Sequence, residues 1–504
     1  MAGGIKHYAG EHPETLAVSD ETTTLNWRQL NAKVNQLMRH LHNQGISAGD
    51  RISVMATNCT DYAVLSLTAH LGGMSLVPIN WHFTADEASY LMSNAGVKAL
   101  FVGPEQEDVG REAATLAGCG MVCVIGEGLN NALAPISDAE PEWEPPFSSP
   151  IFYTSGTTGR PKATRLSQTP TSVPIDAAID NMKIGAGASG MDEQTVHLTQ
   201  GPLYHAGPLH NATTTLLIGA VLYIMPRFDP EQSLRMIEAY KITHSMMVPI
   251  MFVRLDRLPA VVKAKYDVSS LVATPHIAAP MPIDVKHRMI DWWGPVLSDA
   301  YGASEIGVVT RISSEEWMQK PGSVGKPIDS FIINIIDDDG QVMPHGETGI
   351  IYMTSLTAVD LEYLDDPGKT AAAHLADKQF TLGDMGWLDE DGYMYLADRR
   401  VDMINSGGVN IYPAEIEMTL LAHPAVEDVA VFGIPSEEWG QDVKTAIQLR
   451  PGFEASDALT NDILSWIREK IAHYKVPKSI DYHEQLPRYS NGKLHRRVLR
   501  DKYW

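Results

Sequence analysis

Between residues 25 and 45 apolar side chains return every three or four positions, at Leu30, Val34, Leu37, Met38 and Leu41, and Gly45 closes the run. That spacing predicts an amphipathic helix. The apolar runs then shorten and alternate with helical ones. Arg51–Met55 predicts a strand, the stretch from Asp61 a helix, 75–79 a strand, 86–94 a helix and Ala99–Val102 a strand. Alternation of this kind indicates parallel sheets covered by helices. A second alternating block runs from about 195 to 300 and includes buried-looking strands at 220–225 and 245–249. The longest apolar stretch, 62–79, is interrupted by His70, Gly72, Gly73 and Pro78, so it reads as a buried helix running into a strand and not as a membrane span.

From Phe331 the pattern changes to short β-like segments with turns at Asp338-Asp339-Gly340, His345-Gly346 and Asp391-Gly392, which predicts a compact β unit. Past residue 400 a smaller α+β piece follows. Pro413 opens a helix carrying Ile416, Leu420 and Leu421, 429–434 and 445–449 read as strands, and Ile463, Ile467 and Ile471 line a second helix. The chain shows no internal repeat. Its 504 residues exceed what one hydrophobic core organises, so two or more domains are expected.

Composition narrows the partners. With 39 Lys and Arg against 62 Asp and Glu the formal charge is -23, which opposes non-specific binding to nucleic acid or to an anionic membrane surface. An anionic ligand must therefore be met by local donors. The cysteines are Cys59, Cys119 and Cys123, a sparse and odd set that suggests a reducing compartment without a disulfide framework. Cys119 and Cys123 lack histidines at ligand spacing, so zinc is not expected. No basic segment followed by an apolar core opens the chain, and a cytoplasmic location is expected.

Such local donors are concentrated in one place. The proline-rich connector 140–150 and the apolar pair Ile151-Phe152 lead into Tyr153-Thr154-Ser155-Gly156-Thr157-Thr158-Gly159-Arg160-Pro161-Lys162. Gly156 and Gly159 let backbone N–H groups face an anion, Thr154, Ser155, Thr157 and Thr158 add hydroxyl donors, and Lys162 adds positive charge. The common nucleoside-triphosphate loop needs Gly-Lys followed by Ser or Thr, and this one does not have it. Downstream, in order, stand Tyr204-His205-Ala206-Gly207, Ala278-Ala279-Pro280, Tyr301-Gly302-Ala303-Ser304-Glu305, Thr381-Leu382-Gly383-Asp384, Asp398-Arg399-Arg400-Val401-Asp402, Ser406-Gly407-Gly408 and Ser490-Asn491-Gly492-Lys493.

This ordered set resembles the motifs of the adenylate-forming superfamily, which includes acyl-CoA synthetases, aryl-CoA ligases, luciferases and peptide-synthetase adenylation domains, and the resemblance covers essentially the whole chain. It implies an α/β fold: a large N-terminal adenylation domain, 1–400, of two helix-covered β-sheet subdomains plus a distorted β-barrel, and a small mobile α+β domain, 401–504, with a hinge near 400–402. It also implies roles. Lys162 and the loop Thr154, Ser155, Gly156, Thr157, Thr158 and Gly159 would hold the ATP phosphates. Ala279, Tyr301 and Gly302 would border the adenine, Ser304 the α-phosphate, Glu305 a magnesium ion, and Asp384 with Arg399 the ribose. His205 would sit at the substrate carboxylate, and Lys493 would be the adenylation lysine. Gly407 and Gly408 would line a pantetheine tunnel, with Trp439, Tyr474 and Lys478 around the nucleotide of coenzyme A.

The implied reaction is ATP-dependent ligation of a small-molecule carboxylic acid to coenzyme A through an acyl adenylate. Relatives that activate amino acids carry aspartate at the position of His205, so an ordinary amino acid is disfavoured. Four departures stand out: Leu382 for threonine, Ser304 for threonine, Val401 at the hinge, and Gln168 where relatives often carry histidine. These leave two alternatives open: an enzyme that loads a carrier-protein phosphopantetheine, and a nucleotide- or adenylate-binding relative that has lost the first half-reaction. A luciferase-like oxygenation is a remoter one. Whether the chain forms a homodimer is not read from these residues.

Overall fold

The computed structural model describes residues 4–504 except 155–161, 166–172, 278, 280, 304–305, 338, 358, 363–366, 400–401, 407–408, 437–438 and 489–493, and backbone alone at Thr154, Lys162, Thr164, Arg165, Lys369, Asp398, Arg399, Asn405, Val409 and Asn410. The chain divides into two compact units, one formed by 4–277, 289–308 and 358–371, the other by 278–288, 309–357 and 372–504.

The first unit holds the alternating segments. Strands β1 (Leu16–Ser19), β2 (Thr24–Asn26), β3 (Arg51–Met55), β4 (Ser75–Pro78), β5 (Ala99–Val102), β6 (Met121–Val124), β7 (Ile151–Thr154), β8 (Lys162–Arg165), β9 (Val196–Thr199), β10 (Val221–Ile224), β11 (Thr274–His276) and β12 (Leu297–Ala303) follow in chain order. β4-β3-β5-β6 is an all-parallel sheet. β2-β1-β10-β9 forms a second, parallel apart from the β1–β2 hairpin. The predicted helix is Trp27–Asn43; Asn26 caps it, with Gln29 completing a reciprocal capping box. Its stripe Leu30, Val34, Leu37 and Leu41 is buried almost completely, each side chain contributing roughly 1.5 to 3 kcal/mol of transfer free energy. The stretch 62–79 is indeed a buried helix, Thr60–Leu71, running into β4. Asp61 on its first turn ties three elements together, pairing with Lys33 at 2.6 Å and accepting the Gly126 N–H at 2.7 Å.

One prediction needs correction: 245–249 is not a ladder strand. His244 and Met247 make only single parallel bridges, to His197 and Ala273 and to His276, and Pro249 opens the helix Pro249–Asp256. A proline at the first helical position has its φ preset and has no N–H to leave unpaired, so the apolar run ends as a helix start.

The second unit contains the β-rich segments: β13 (Gly307–Ile312), β14 (Ser323–Pro327), β15 (Phe331–Ile336), β16 (Gly349–Ser355), β17 (His374–Ala376), β18 (Gln379–Phe380), β19 (Asp384–Leu388) and β20 (Met394–Arg399). Their pairings are antiparallel throughout. The α+β piece adds the hairpin β21 (Ile404–Ser406) and β22 (Val409–Ile411) and the sheet β23 (Val426–Ser436), β24 (Gly440–Leu449) and β25 (Ser479–His483). Ile416, Leu420, Val429, Val431, Ile447, Ile463 and Ile467 form its core. Ile471 packs against that core but stands beyond the helix, which ends at Arg468.

Candidate active site

Parallel strands place their C-terminal ends on one edge, and in the first unit this edge gathers several candidate residues. β9 pairs with β10, single bridges through His244 extend the order to β11, and β11 pairs with β12 in parallel. The loop leaving β9 leads to His205, and the end of β12 carries Tyr301 and Gly302. In open α/β sheets ligands bind in the crevice outside the carboxyl ends of the strands. His205 is the N-cap residue of the helix Ala206–Leu217, with its ring edge-on to buried Tyr204 at 4.4 Å. Tyr301 is buried. Gly302 admits no side chain, because a Cβ there would stand 2.1 Å from the carbonyl oxygen of Gly307.

The glycine-rich loop is bracketed by a hairpin that the sequence pattern did not suggest beyond its first strand. β7 pairs antiparallel with β8, setting Thr154 opposite Lys162, so both ends of 155–161 are held side by side. Tyr153 anchors the first strand through a 2.6 Å hydrogen bond from its hydroxyl to Asn94 Oδ1.

In the second unit, β19 and β20 pair so that Asp384 lies directly opposite Arg399. Residues fifteen apart in sequence and expected to share one ligand thus become cross-strand neighbours. The turn before Asp384 is set locally: Gly383 has φ +80°, and its N–H donates to Thr381 Oγ1 at 3.0 Å. Leu382 leaves that turn intact, since the hydroxyl used is that of Thr381. Trp387 and Tyr395 stack across the same hairpin at 5.0 Å and 6°.

Trp439, Tyr474 and Lys478 precede two paired strands of the second unit. Trp439 precedes β24, Tyr474 and Lys478 precede β25, and the two strands run parallel with Lys444 opposite Ser479. The two strands run in the same direction, with β25 starting opposite Lys444, the fifth residue of β24. Trp439 and Tyr474 are 46% and 53% exposed, high for aromatic side chains, and Lys478 is exposed while its N–H donates to Val443 O at 2.8 Å. Lys475 pairs with Glu415, at 2.6 and 2.8 Å, and its Nζ lies 5.7 Å from the centroid of the Tyr474 ring. Ala279, in the second unit, is exposed. Ser155, Gly156, Thr157, Thr158, Gly159, Ser304, Glu305, Gly407, Gly408 and Lys493 lie outside the described residues, as do the side chains of Thr154, Lys162 and Arg399.

Asn58 is the residue that pattern reading missed. Buried in the first unit, its amide donates to Gly201 O at 2.9 Å and Met225 O at 3.1 Å, and its Oδ1 accepts the Leu203 N–H at 2.7 Å. It joins the loops leaving β9 and β10 and so fixes the path to His205. An asparagine between β3 and a helix carries no local sign of this, because its partners lie about 150 residues away.

The family described as AMP-binding enzyme matches residues 5–359, and the AMP-binding enzyme C-terminal domain matches 415–493. A fatty acid–[acyl-carrier-protein] ligase, ScoC, from Streptomyces coeruleorubidus is 29% identical over 507 residues, covering 99% of this chain and 95% of that protein. A feruloyl-CoA synthase from an Amycolatopsis species is 30% identical over 496 residues, covering 97% and 96%. Among solved structures, ATP-bound MatB from Rhodopseudomonas palustris is similar with a TM-score of 0.81 and 25% identity, covering 99% of each chain.

Proposed function

Because the chain belongs to the AMP-binding enzyme family, we propose that it activates a carboxylic acid with ATP and passes the acyl group to coenzyme A. In the first half-reaction a carboxylate oxygen bonds to the α-phosphorus and the bond to pyrophosphate breaks. In the second the thiol sulfur bonds to the acyl carbon, its proton is lost, and AMP leaves. The observation that carries this reading is the register of β19 and β20, which sets Asp384 opposite Arg399. A carboxylate with two acceptor oxygens suits the two ribose hydroxyls, and a guanidinium carries donors suited to the same sugar.

The remaining roles follow the chemistry of each side chain. Phosphoryl transfer needs positioning and charge neutralisation more than covalent help. Lys162 and the loop 154–159 take the β- and γ-phosphates, Ser304 the α-phosphate, and Lys493 offsets charge where the carboxylate meets the α-phosphate. Glu305 would hold Mg2+, a hard cation suited to carboxylate oxygen, which neutralises phosphate charge when bound. Ala279, Tyr301 and Gly302 border the adenine and His205 the acid. Residues 1–400 act as the adenylation domain and 401–504 as a small domain turning about 400–402, which withdraws Lys493 and brings Gly407 and Gly408 to the thiol. The three free cysteines, each at least partly shielded and with its thiol pKa raised first of all by burial, suit a reducing, cytoplasmic setting.

One relative, the fatty acid–[acyl-carrier-protein] ligase, raises delivery to a carrier protein as a second reading. The exposed faces of Trp439 and Tyr474 and the exposed Lys478 favour free coenzyme A, because stacking faces and a cation serve its nucleotide, which a protein-borne phosphopantetheine lacks. The test is incubation with ATP, Mg2+ and a panel of medium-chain, aryl and polycyclic acids, with either coenzyme A or a holo carrier protein. Acyl-CoA detected by mass supports the first reading. Acylated carrier protein with no acyl-CoA would replace it with the second.

A further inference from the structure

The α+β piece holds a cavity of about 380 Å³ that none of the roles above uses. That is room enough for a small-molecule ligand. Its wall joins Asp402, the strand β23 and the stretch 496–504, all within the second unit. Two aromatic residues line it, the buried Phe432 and the exposed Trp504. The indole N–H of Trp504 donates to Gly433 O at 3.2 Å. That bond uses the one polar group of the indole, so a ligand is offered its apolar face. The neighbouring Tyr503 fixes the same stretch, with its hydroxyl on Asp481 and Lys444 Nζ 4.8 Å from its ring centroid.

Charged groups complete the wall, Arg496 and Arg500 against Asp402 and Asp501, so it carries no net charge. They are not equally committed. Arg496 spends Nε and one terminal nitrogen on the two oxygens of Glu417, at 3.1 and 2.6 Å, and Nη1 on Asp402 Oδ2 at 3.3 Å. Arg500 is held only loosely, since Nε and Nη2 share a single oxygen, Asp501 Oδ1, at 3.4 and 3.3 Å. The other oxygen of Asp501 takes Arg497 at 3.0 Å. Two groups on the wall therefore bond nothing among the described residues: Arg500 Nη1, a donor, and Asp402 Oδ1, an acceptor. Water can satisfy both, but it makes no use of the faces of Phe432 and Trp504.

We propose that this cavity is a nucleoside site distinct from that for ATP, and that it takes a neutral purine bearing an exocyclic amino group. The ring stacks on Trp504 and Phe432, the amino group donates to Asp402 Oδ1, and a ring nitrogen accepts from Arg500 Nη1. None of the residues assigned to ATP or coenzyme A borders the cavity. A wall without net charge gives a phosphate no advantage, which sets this site apart from the glycine-rich loop.

The test uses the full chain with 2-azidoadenosine as photoprobe, and labelled peptides are mapped by mass. Label is expected in peptides that contain Phe432 or span 496–504. Adenosine should displace it, AMP should do so no better than adenosine, and purine riboside, which lacks the amino group, should be about tenfold weaker. Trp504→Leu and Arg500→Met should each lower this label about tenfold, with urea midpoints at the wild-type value showing that the chain still folds. Asp402→Asn keeps one oxygen for Arg496 and turns the other acceptor into a donor, so it should lower the label as much with the wall intact. Arg111→Gln, which removes an exposed pair with Glu107, should change nothing. Label found only within 1–400 reports the ATP site and overturns the proposal. Equal protection by purine riboside and adenosine overturns it too, because the base edge is then not read.

Discussion

The two compact units differ in how they hold polar groups that are shielded from water. The first keeps them neutral. Burial pushes the His70 imidazole down to about 4 and that of His197 down to about 3, and it lowers His244 as well. His70 Nδ1 stands 2.6 Å from Ser66 O and His197 Nδ1 3.1 Å from Thr215 Oγ1, so each ring keeps a neutral partner. The second unit keeps its polar groups charged and paired: Lys444 with Asp481 at 2.8 Å, Lys475 with Glu415, Arg488 with Asp428, and Arg496 with Glu417. The contrast is one of emphasis, since Lys33–Asp61 and His276–Asp299 are shielded pairs in the first unit. Neutral packed groups make a scaffold with one arrangement. The four ion pairs all lie within 401–504, so they fix that piece internally whatever position it takes.

The largest expected effect strikes the first unit through pH. A histidine whose folded pKa is depressed binds fewer protons when folded than when unfolded, so its share of stability is present above the unfolded value near 6.5 and is lost as pH falls toward the folded value. At pH 5 the loss is about 2 kcal/mol for each of His70 and His197, with their folded values near 4 and 3. Urea unfolding followed from pH 7 to 5 should therefore show a steep drop that added salt does not repair. A flat profile in that window would break the comparison.

Next in size is the loss of one charge from the second unit. Lys493→Ala should slow adenylate formation by about 10² to 10³, the scale for one preorganised electrostatic donor, and leave the thioester step nearly untouched. Single-turnover pyrophosphate release, run beside acyl-CoA formation from supplied adenylate, reads both. Equal loss in both steps would mean that the small domain does not alternate.

Asp384→Ala should weaken ATP and AMP together by about 1.5 to 3 kcal/mol, the scale of a charge-assisted hydrogen bond. Calorimetric titration with AMP decides it, and unchanged affinity takes Asp384 out of the site. The smallest effect returns to the first unit. Asn58→Ala leaves an N–H and two carbonyls without their partner and should cost about 1 to 3 kcal/mol of stability. It should also raise KM for the acid while KM for ATP holds, because the loop it fixes leads to His205. If both constants move together, the loop is not tied to the acid.

Much of this was written in local pattern. Arg51–Met55 and Ala99–Val102 are strands at the expected residues because a short apolar run bounded by breakers leaves few options. The helix Trp27–Asn43 announces itself by period and cap. The candidate residues, from the loop after Tyr153 to Lys493, are recognisable because the chemistry they suit, holding phosphate, ribose and thiol, demands particular side chains in short contiguous runs.

What only the tertiary structure decided is which distant residues meet. The same kind of apolar run failed at 245–249, where Pro249 and bridging partners on β9 and β11 outweighed β propensity. The opposition of Asp384 and Arg399, the three bonds of Asn58 and the grip of Arg496 on Glu417 and Asp402 leave no trace in local spacing. Periodicity records only which face of an element is apolar. Register and neighbour choice are settled when whole sheets pack, by pairings whose free energy belongs to both partners at once and so is carried by neither stretch alone.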